Sequence, residues 1–350
     1  MKTALKNIFY GTLHGVGLTA LVRLKNRAQV PVLIYHGVTD DDRDDALDVE
    51  RVHIKTAGLR RHLEFIARHY RVVPLSRLAD ALRGGPALPP YSLALTFDDG
   101  YENNFTAAYP LLKEFAMPAT FFLSTDFVNE RIPLWVDRLK SVFRATELAA
   151  WTDLSGRAHL LGSIEERAAA YLRANRELKE LDGGEHEQAL ERIETELLED
   201  KQIKLLSLFN PLTKKQIREM ASSELIEFGS HACRHRLLSK LPPEEVAREL
   251  TESRRIVSEL SGTETVSFSY PNGDFDRGIM AAVEKAGYTS AVAGGLCLNR
   301  PQRTSPYAVA RVALAEDDSE ALIAATLCGI RERLLALRGH PQIEHYRRHG

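Results

Sequence analysis

Short apolar runs rich in β-branched and aromatic residues recur along the chain and predict strands. The runs are VPVLIY (30–35), RVVPL (71–75), SLALTF (92–97), ATFFLS (119–124), LIEFG (225–229), TVSFSY (265–270), TSAVAG (289–294) and YAVARVAL (307–314). Most are continuous rather than alternating, as expected of strands buried on both faces. Helical patterns such as AGLRRHLEFIARHY and PPEEVARELTESRRIVSEL separate several of them. This alternation predicts a parallel α/β sheet, either open and doubly wound or closed into a barrel.

One segment, roughly 130–222, has no strand signal and is rich in helical patterns. Ser163 and Glu166 have the spacing of a capping box at the start of one such helix. We interpret the segment as a helical insertion between two core strands, placed to form a lid or side wall. The acidic run at 40–48 and the stretch LRGGPALPPYS are expected to be loops.

The first 29 residues form a basic segment with a moderately apolar middle. They carry five Lys or Arg and no acid. A helix packed on the domain is the favoured interpretation; peripheral membrane contact and an export signal are the alternatives. We therefore expect an N-terminal basic helical segment (1–29) followed by a single domain (30–350).

Composition is that of a soluble globular protein, with 44% hydrophobic and 27% charged residues. A net charge of −2 gives no indication of nucleic-acid binding. Three scattered cysteines are too few for a disulfide framework and favour a reducing compartment. We expect a cytoplasmic protein, with peripheral membrane contact as an option and export less favoured.

Polar residues stand at the carboxyl ends of five predicted strands. His36 follows the first run, Asp98 and Asp99 follow SLALTF, and His231 follows LIEFGS. PNGD follows TVSFSY, and the last run contains Arg311. In a parallel barrel these ends meet on one face, where such folds place their chemistry.

His231 and His235 are four residues apart, which would put both imidazoles on one face if the segment begins a helix. This spacing alone is weak evidence in a chain with 12 histidines. Two imidazoles and a carboxylate from another strand end would hold a catalytic zinc with a position left open. Cys233 would point elsewhere and is not counted. One of the two aspartates can then bind the metal while its neighbour acts as a base.

The motifs TFDDG, SHxxxH followed by LS, FSYPNG, GYTSAV and a late ARV resemble those of the polysaccharide deacetylase family (NodB-homology, carbohydrate esterase family 4). The resemblance spans roughly 30–315. It implies a distorted (β/α) barrel that removes acetyl groups from N-acetylglucosamine residues with a divalent metal, zinc or alternatively Co²⁺ or Ni²⁺. By position, Asp98 matches the general base and Asp99 the metal carboxylate. His231 and His235 match the metal imidazoles.

Two departures from the family pattern concern the groups around the base. Residues 269–272 read Ser-Tyr-Pro-Asn where the family has Arg-x-Pro-Tyr, so another cation must hold Asp98. Arg311 is the candidate, against an ordinary structural arginine. The family's late Leu-x-His motif has no counterpart after residue 300. His36 resembles a rearranged version of it and is the candidate general acid, against a structural histidine.

Substrate contacts are assigned more loosely. Tyr101 and Tyr270, and Trp135 from the insertion, are candidates for stacking on sugar rings, with ordinary packing as the alternative. The backbone N–H near Asn272 is a candidate donor to the oxyanion.

The function implied is N-deacetylation of an acetylated amino-sugar glycan in exopolysaccharide or cell-envelope biosynthesis. The alternatives are hydrolysis of another small amide or imide at the same metal site, and a catalytically degenerate carbohydrate-binding protein.

Overall fold

Seven parallel strands form the wall of a barrel in the computed structural model, which describes residues 2–40, 47–198, 205–301 and 303–349. The strands in these residues are β1 (Val32–Tyr35), β2 (Gly37–Thr39), β3 (His53–Lys55), β4 (Arg71–Val72), β5 (Ser92–Phe97), β6 (Ala119–Leu123), β7 (Ala150–Thr152), β8 (Ala158–Leu160), β9 (Ile226–Ser230), β10 (Ser267–Ser269), β11 (Ser290–Gly294) and β12 (Val309–Arg311). The α-helices are α1 (Lys2–Gly15), α2 (Leu18–Lys25), α3 (Thr56–His69), α4 (Leu75–Leu82), α5 (Tyr109–Glu114), α6 (Trp135–Ala145), α7 (Ile164–Glu180), α8 (Gly183–Leu198), α9 (Lys214–Ala221), α10 (Pro243–Ser261), α11 (Arg277–Lys285), α12 (Glu320–Leu327), α13 (Ile330–Leu337) and α14 (Pro341–His349). Short π or 3-10 turns cover Asn104–Ala108, Asp126–Glu130, Ser207–Phe209, Leu238–Lys240 and Pro271–Gly273.

The order of strands around the barrel is β1-β5-β6-β9-β10-β11-β12, and β4 pairs with the first two residues of β5. The first and last strands meet, since the Ile34 amide donates to the Val312 carbonyl (3.1 Å) and the Val312 amide donates to the Val32 carbonyl (2.9 Å). All six residues of β5 are buried, as the continuous apolar run predicts. The expectation of a distorted (β/α) barrel is confirmed.

The observed strands follow the predicted runs but are often shorter. β5 has the predicted bounds, whereas the last run, predicted over 307–314, is a strand only at Val309–Arg311. β2 and β3 were not predicted and pair in parallel outside the barrel. Three-residue strands carry too few positions for a periodic signal.

The expectation that 130–222 lacks strands is wrong, because β7 and β8 form an antiparallel hairpin there. Its turn is held by Asp153, whose Oδ1 accepts from the amides of Ser155 (3.0 Å) and Arg157 (2.9 Å). The rest of the described part of this segment is mainly helical, and α6, α7 and α8 pack around an apolar cluster that includes Phe143 and Tyr171. The predicted capping box is present, with the Glu166 amide donating to Ser163 Oγ (3.1 Å).

The N-terminal segment forms two helices, α1 and α2, that pack against α12. Tyr10 is buried there beside Leu322 and Ala325. Among the residues the structure describes, no helix combines the length and apolar content needed to cross a bilayer. Most of the acidic run at 40–48 lies outside the described residues; Asp48, at its end, pairs with Lys140 (3.2 Å).

Candidate active site

Asp98 and Asp99 lie at the carboxyl end of β5, inside the barrel mouth, and both are buried. The Asp98 amide donates to the Tyr35 carbonyl at the end of β1 (2.9 Å). Asp99 has φ +75° and Gly100 has φ +94°, so the chain turns sharply after the strand. A Cβ on Gly100 would lie 2.8 Å from Val128 Cγ1, so only glycine fits. The Asp-Asp-Gly sequence therefore sets two carboxylates side by side at the strand end.

Asp99, His231 and His235 converge on a common point. One ligand atom of each lies within 4.8 Å of the others, and all three residues are buried. Asp99 Oδ1 is 3.6 Å from His231 Nε2 and 3.6 Å from His235 Nε2. These distances are too long for hydrogen bonds and leave room between the atoms.

Each histidine is suited to be a ligand. His231 Nδ1 lies 2.8 Å from the Ser269 carbonyl, which can only accept, so Nδ1 carries the proton and Nε2 faces Asp99 with a free lone pair. The Trp135 indole N–H donates to the His235 carbonyl (3.0 Å) and fixes that part of the loop. Burial lowers the pKa of both histidines, which keeps them neutral.

The condition that 231–235 begins a helix is not met. The segment is a loop in which Ala232 (φ +61°) and His235 (φ +54°) adopt left-handed conformations. These two reversals, rather than helical spacing, bring the imidazoles together, with ring centroids 4.8 Å apart. Cys233 is buried against α10, where its thiol lies 3.6 Å from the Glu249 carbonyl.

Arg311, at the end of β12 and two strands from β5 around the barrel wall, forms a bidentate ion pair with Asp98. Its Nη1 donates to Oδ1 and its Nη2 to Oδ2, both at 2.7 Å, with both side chains buried. Ser269, in the motif position where the family has arginine, donates from its hydroxyl to Asp98 Oδ2 (3.1 Å) and accepts from Arg311 Nη2 (2.9 Å). The Arg311 guanidinium, from β12, thus contacts Asp98 beside Ser269 on β10, where the family has its motif arginine.

The pKa values of the neighbouring Asp98 and Asp99 are shifted in opposite directions. Burial raises the pKa of Asp98, but the charge of Arg311 and the hydrogen bonds that Arg311 donates outweigh it and hold that pKa well below its usual range. Burial and the Asp98 charge raise the pKa of Asp99 well above its usual range. Asp99 Oδ1 is also buried with no hydrogen-bond partner among the described residues.

These features fit a divalent cation. A buried carboxylate oxygen without a partner, opposite two neutral imidazole nitrogens, is the donor set of a zinc-like site with an open position. A cation there would also stabilise the charged form of Asp99. The three residues that would hold it are Asp99, His231 and His235.

His36 lies at the end of β1, partly buried, on the same face of the barrel. Burial lowers its pKa to about 4; the charge of Asp98 opposes this shift, and the charge of Arg311 adds to it. These electrostatic interactions place His36 among the groups around Asp98.

A family model of polysaccharide deacetylases matches residues 86–291, more than half of the chain. This chain belongs to the polysaccharide deacetylase family. The match includes Asp98, Asp99 and the two histidines of the cluster, whereas His36 and Arg311 lie outside it.

Relatives of this deacetylase-family chain are distant or short in their overlap. The chain is 34% identical to poly-beta-1,6-N-acetyl-D-glucosamine N-deacetylase of Escherichia coli K12 over 79 residues. This overlap covers 22% of this chain and only 12% of that protein. The Streptococcus pyogenes deacetylase PplD superposes with a TM-score of 0.59 at 15% identity, covering 85% of this chain and 98% of PplD. IcaB from Ammonifex degensii superposes with a TM-score of 0.55 at 18% identity, covering 86% and 97%. At such identities the likeness to the solved structures shows a shared fold.

The prediction that Tyr101 and Tyr270 stack on sugar rings is wrong, because both rings are at most 1% exposed. The Tyr270 hydroxyl donates to the Tyr307 carbonyl (2.9 Å), and its ring packs on Phe275. Trp135 is likewise buried. Asn272 is exposed, with φ +56°, and stays a candidate for substrate contact.

Sequence reasoning missed a polar link between the site and the insertion. The Tyr101 hydroxyl donates to Asp137 Oδ2 (3.0 Å) on α6, two residues beyond Trp135. Asp137 is 1% exposed, and burial raises its pKa to about 7. No motif marks Asp137; only the contact with the tyrosine that follows the Asp-Asp-Gly turn reveals it.

This raised pKa predicts a pH-dependent stability. Between about pH 4 and 7 the folded protein keeps a proton on Asp137 that the unfolded chain releases, so stability falls as pH rises. Asp137→Asn should remove this loss, and the variant should gain up to about 4 kcal/mol relative to the parent across that range. Urea denaturation at several pH values measures the difference.

Asp80→Asn, at an exposed ion pair with Arg83 (2.7 Å), is the control, because it makes the same substitution at the surface. If the difference between Asp137→Asn and the parent did not change with pH, Asp137 would be ionised normally in the folded protein.

Proposed function

We propose that this chain is a metal-dependent N-deacetylase of amino-sugar glycans that acts in exopolysaccharide or cell-envelope biosynthesis. The decisive feature is that Asp98 and Asp99 have different partners: Asp98 pairs with Arg311, and Asp99 faces the nitrogens of two histidines. A binding protein would have no use for a free base beside a metal site. The main argument for a catalytically degenerate protein was that the motif arginine is missing. Arg311 weakens that argument, because it supplies a guanidinium to Asp98.

The residues can divide the chemistry as follows. A divalent cation held by Asp99, His231 and His235, zinc in our proposal, supplies Lewis-acid chemistry that polarises a carbonyl and acidifies water. Asp98 accepts a proton from the water that attacks the acetyl carbon. Because Arg311 keeps Asp98 charged, the base is ready at neutral pH.

His36 serves as the donor to the leaving nitrogen. Its pKa of about 4 means that it is neutral before reaction, so the proton it passes on is the one that Asp98 took from water. Water adds to the carbonyl carbon, the C–N bond breaks, and acetic acid and an amine result. The proton of the acid then passes to the amine, which gives acetate and an ammonium group and leaves no net proton on the protein. The backbone N–H of Asn272, on the exposed turn after β10, is the proposed further donor to the oxyanion.

The named activity of the Escherichia coli relative supports a β-1,6-linked N-acetylglucosamine polymer as the substrate. Overlap with that protein is short, so the proposal rests mainly on the site. We expect acetylated glucosamine oligomers to be used in preference to small cyclic amides or imides.

Metal content and acetate release test the proposal together. The parent, stripped with a chelator and reloaded with Zn²⁺ or Co²⁺, should bind about one ion per chain and release acetate from N-acetylglucosamine oligomers. His231→Ala and His235→Ala should each lower metal affinity at least about tenfold, since each removes one of three ligands. His69→Ala, at the end of α3, is the matched control.

A parent that binds no divalent ion would contradict the metal site. Release from a small amide or imide but from none of the oligomers would instead favour the rival substrate class.

A further inference from the structure

Six large apolar side chains project into solvent from the N-terminal helices and their junction. They are Ile8 (66% exposed), Phe9 (47%), Val16 (74%), Leu18 (36%), Leu21 (62%) and Leu24 (49%), and we call them the N-terminal apolar face. Twelve large hydrophobic residues are exposed in the described part of the chain, and half of them fall within these 17 positions. Clustering of this kind marks an interaction surface, whereas single exposed apolar residues do not.

The N-terminal apolar face is held in place by the rest of the fold. On the opposite side of α2, Thr19 is buried and Asn26 donates from its side-chain amide to the Cys328 carbonyl (2.8 Å). Tyr10 anchors α1 against α12. Leu18, Leu21 and Leu24 are spaced by three and share the outward side of α2. The apolar residues are therefore turned outward by specific contacts on the inner side.

The surroundings of this face are basic. The sequence holds five Lys or Arg and no acid before Asp40. Lys6, Lys25 and Arg27 are exposed beside the apolar residues. Glu320, which begins the underlying α12, is paired with Arg68 (3.3 Å). A small surface depression next to α2 is lined in part by two arginines and two tyrosines, Arg23, Arg27, Tyr70 and Tyr91.

We propose that the N-terminal apolar face docks this protein on an anionic phospholipid bilayer. The helices lie in the headgroup region, with the apolar side chains directed into the lipid and the lysines and arginines against the phosphates. Apolar side chains flanked by cations match a bilayer surface, and anionic lipid provides the complementary charge. This inference is independent of the proposed activity.

Docking would also orient the active site. The Arg27 carbonyl accepts from the Tyr91 amide (2.7 Å), just before β5 begins, whereas Asp98 follows the end of that strand. The six residues of β5 span about 20 Å. The end of α2 and the carboxylates are thus at opposite ends of the barrel wall, so a glycan would enter from the side away from the bilayer.

Vesicle sedimentation tests the proposal with vesicles of phosphatidylcholine alone or with 30% phosphatidylglycerol. The full chain should partition at least about tenfold more strongly onto the anionic vesicles, and binding should weaken with salt. Ile8→Glu combined with Leu21→Glu should reduce binding at least about tenfold, because two apolar side chains become charged. Lys25→Gln combined with Arg27→Gln should weaken anionic binding by about tenfold and flatten its salt dependence.

Leu160→Glu is the matched control, since Leu160 in β8 is 65% exposed and lies in the insertion. It should bind vesicles like the parent. Circular dichroism and thermal unfolding confirm that each variant is folded. A parent that stays in the supernatant with anionic vesicles would overturn the proposal. So would a parent dimer that Leu21→Glu converts to monomer in sedimentation velocity without vesicle binding, since a second copy would then cover this face.

Discussion

Asp98→Asn should lower kcat for acetate release by about 10²- to 10⁴-fold, the usual contribution of a general base. Asparagine keeps the shape of the side chain but cannot take a proton from water. Metal binding should survive, because the residues proposed to hold the cation are Asp99, His231 and His235. The measurement is kcat with the zinc-loaded protein, alongside metal content per chain.

Asp317→Asn is the matched control for Asp98→Asn, because Asp317 also pairs with an arginine, Arg51 at 3.1 Å, but at an exposed position. It should retain nearly full activity. Thermal unfolding must accompany the rates, since Asp98→Asn leaves the buried Arg311 without its counter-charge. If a folded, metal-loaded Asp98→Asn protein released acetate at the parental rate, the base would lie elsewhere.

The residues of the candidate site could be predicted from the sequence because each follows a strand. Continuous apolar runs locate the buried strands, and parallel strands bring their carboxyl ends to one face. Asp98, Asp99 and His231 were found this way, and the structure places them together. Arg311 could be proposed because the family pattern has an arginine at the position of Ser269, so another strand had to supply the cation that holds Asp98.

What the sequence could not supply depends on contacts between distant segments. The pairing of His231 with His235 comes from two left-handed residues in a loop, which helical spacing does not foresee. Tyr101 was predicted to stack on a sugar ring because the sequence alone does not distinguish a buried tyrosine beside a motif from an exposed one that contacts the substrate. The structure shows that Tyr101 is 1% exposed and that its hydroxyl donates to Asp137, 36 positions away.

Arg311→Met should destabilise the protein by about 3–5 kcal/mol, because it leaves the buried Asp98 charge without compensation. The double variant Asp98→Asn with Arg311→Met should recover a large share of this loss, since neither charge is then present. Urea denaturation of the four proteins of this cycle gives the coupling free energy. Where Arg311→Met remains folded, the acid limb of the rate should move to higher pH. Asp98 acts as a base only when deprotonated, and Arg311 is what holds its pKa down.

Arg60→Met provides the matched surface comparison. Arg60 also makes a two-pronged pair, donating to the Glu114 carboxylate at 2.5 and 2.6 Å, but both side chains are about half exposed. Its loss should cost far less stability than the loss of Arg311, because water screens an exposed ion pair. The same geometry thus has different consequences in water and inside the barrel, because solvent can replace Arg60 at the surface, whereas the side chains of Arg311 and Asp98 are at most 2% exposed. If Arg311→Met lowered stability no more than Arg60→Met, the charge of Asp98 would not depend on Arg311. Arg311 would then not take the role of the family's motif arginine, whose position is occupied here by Ser269.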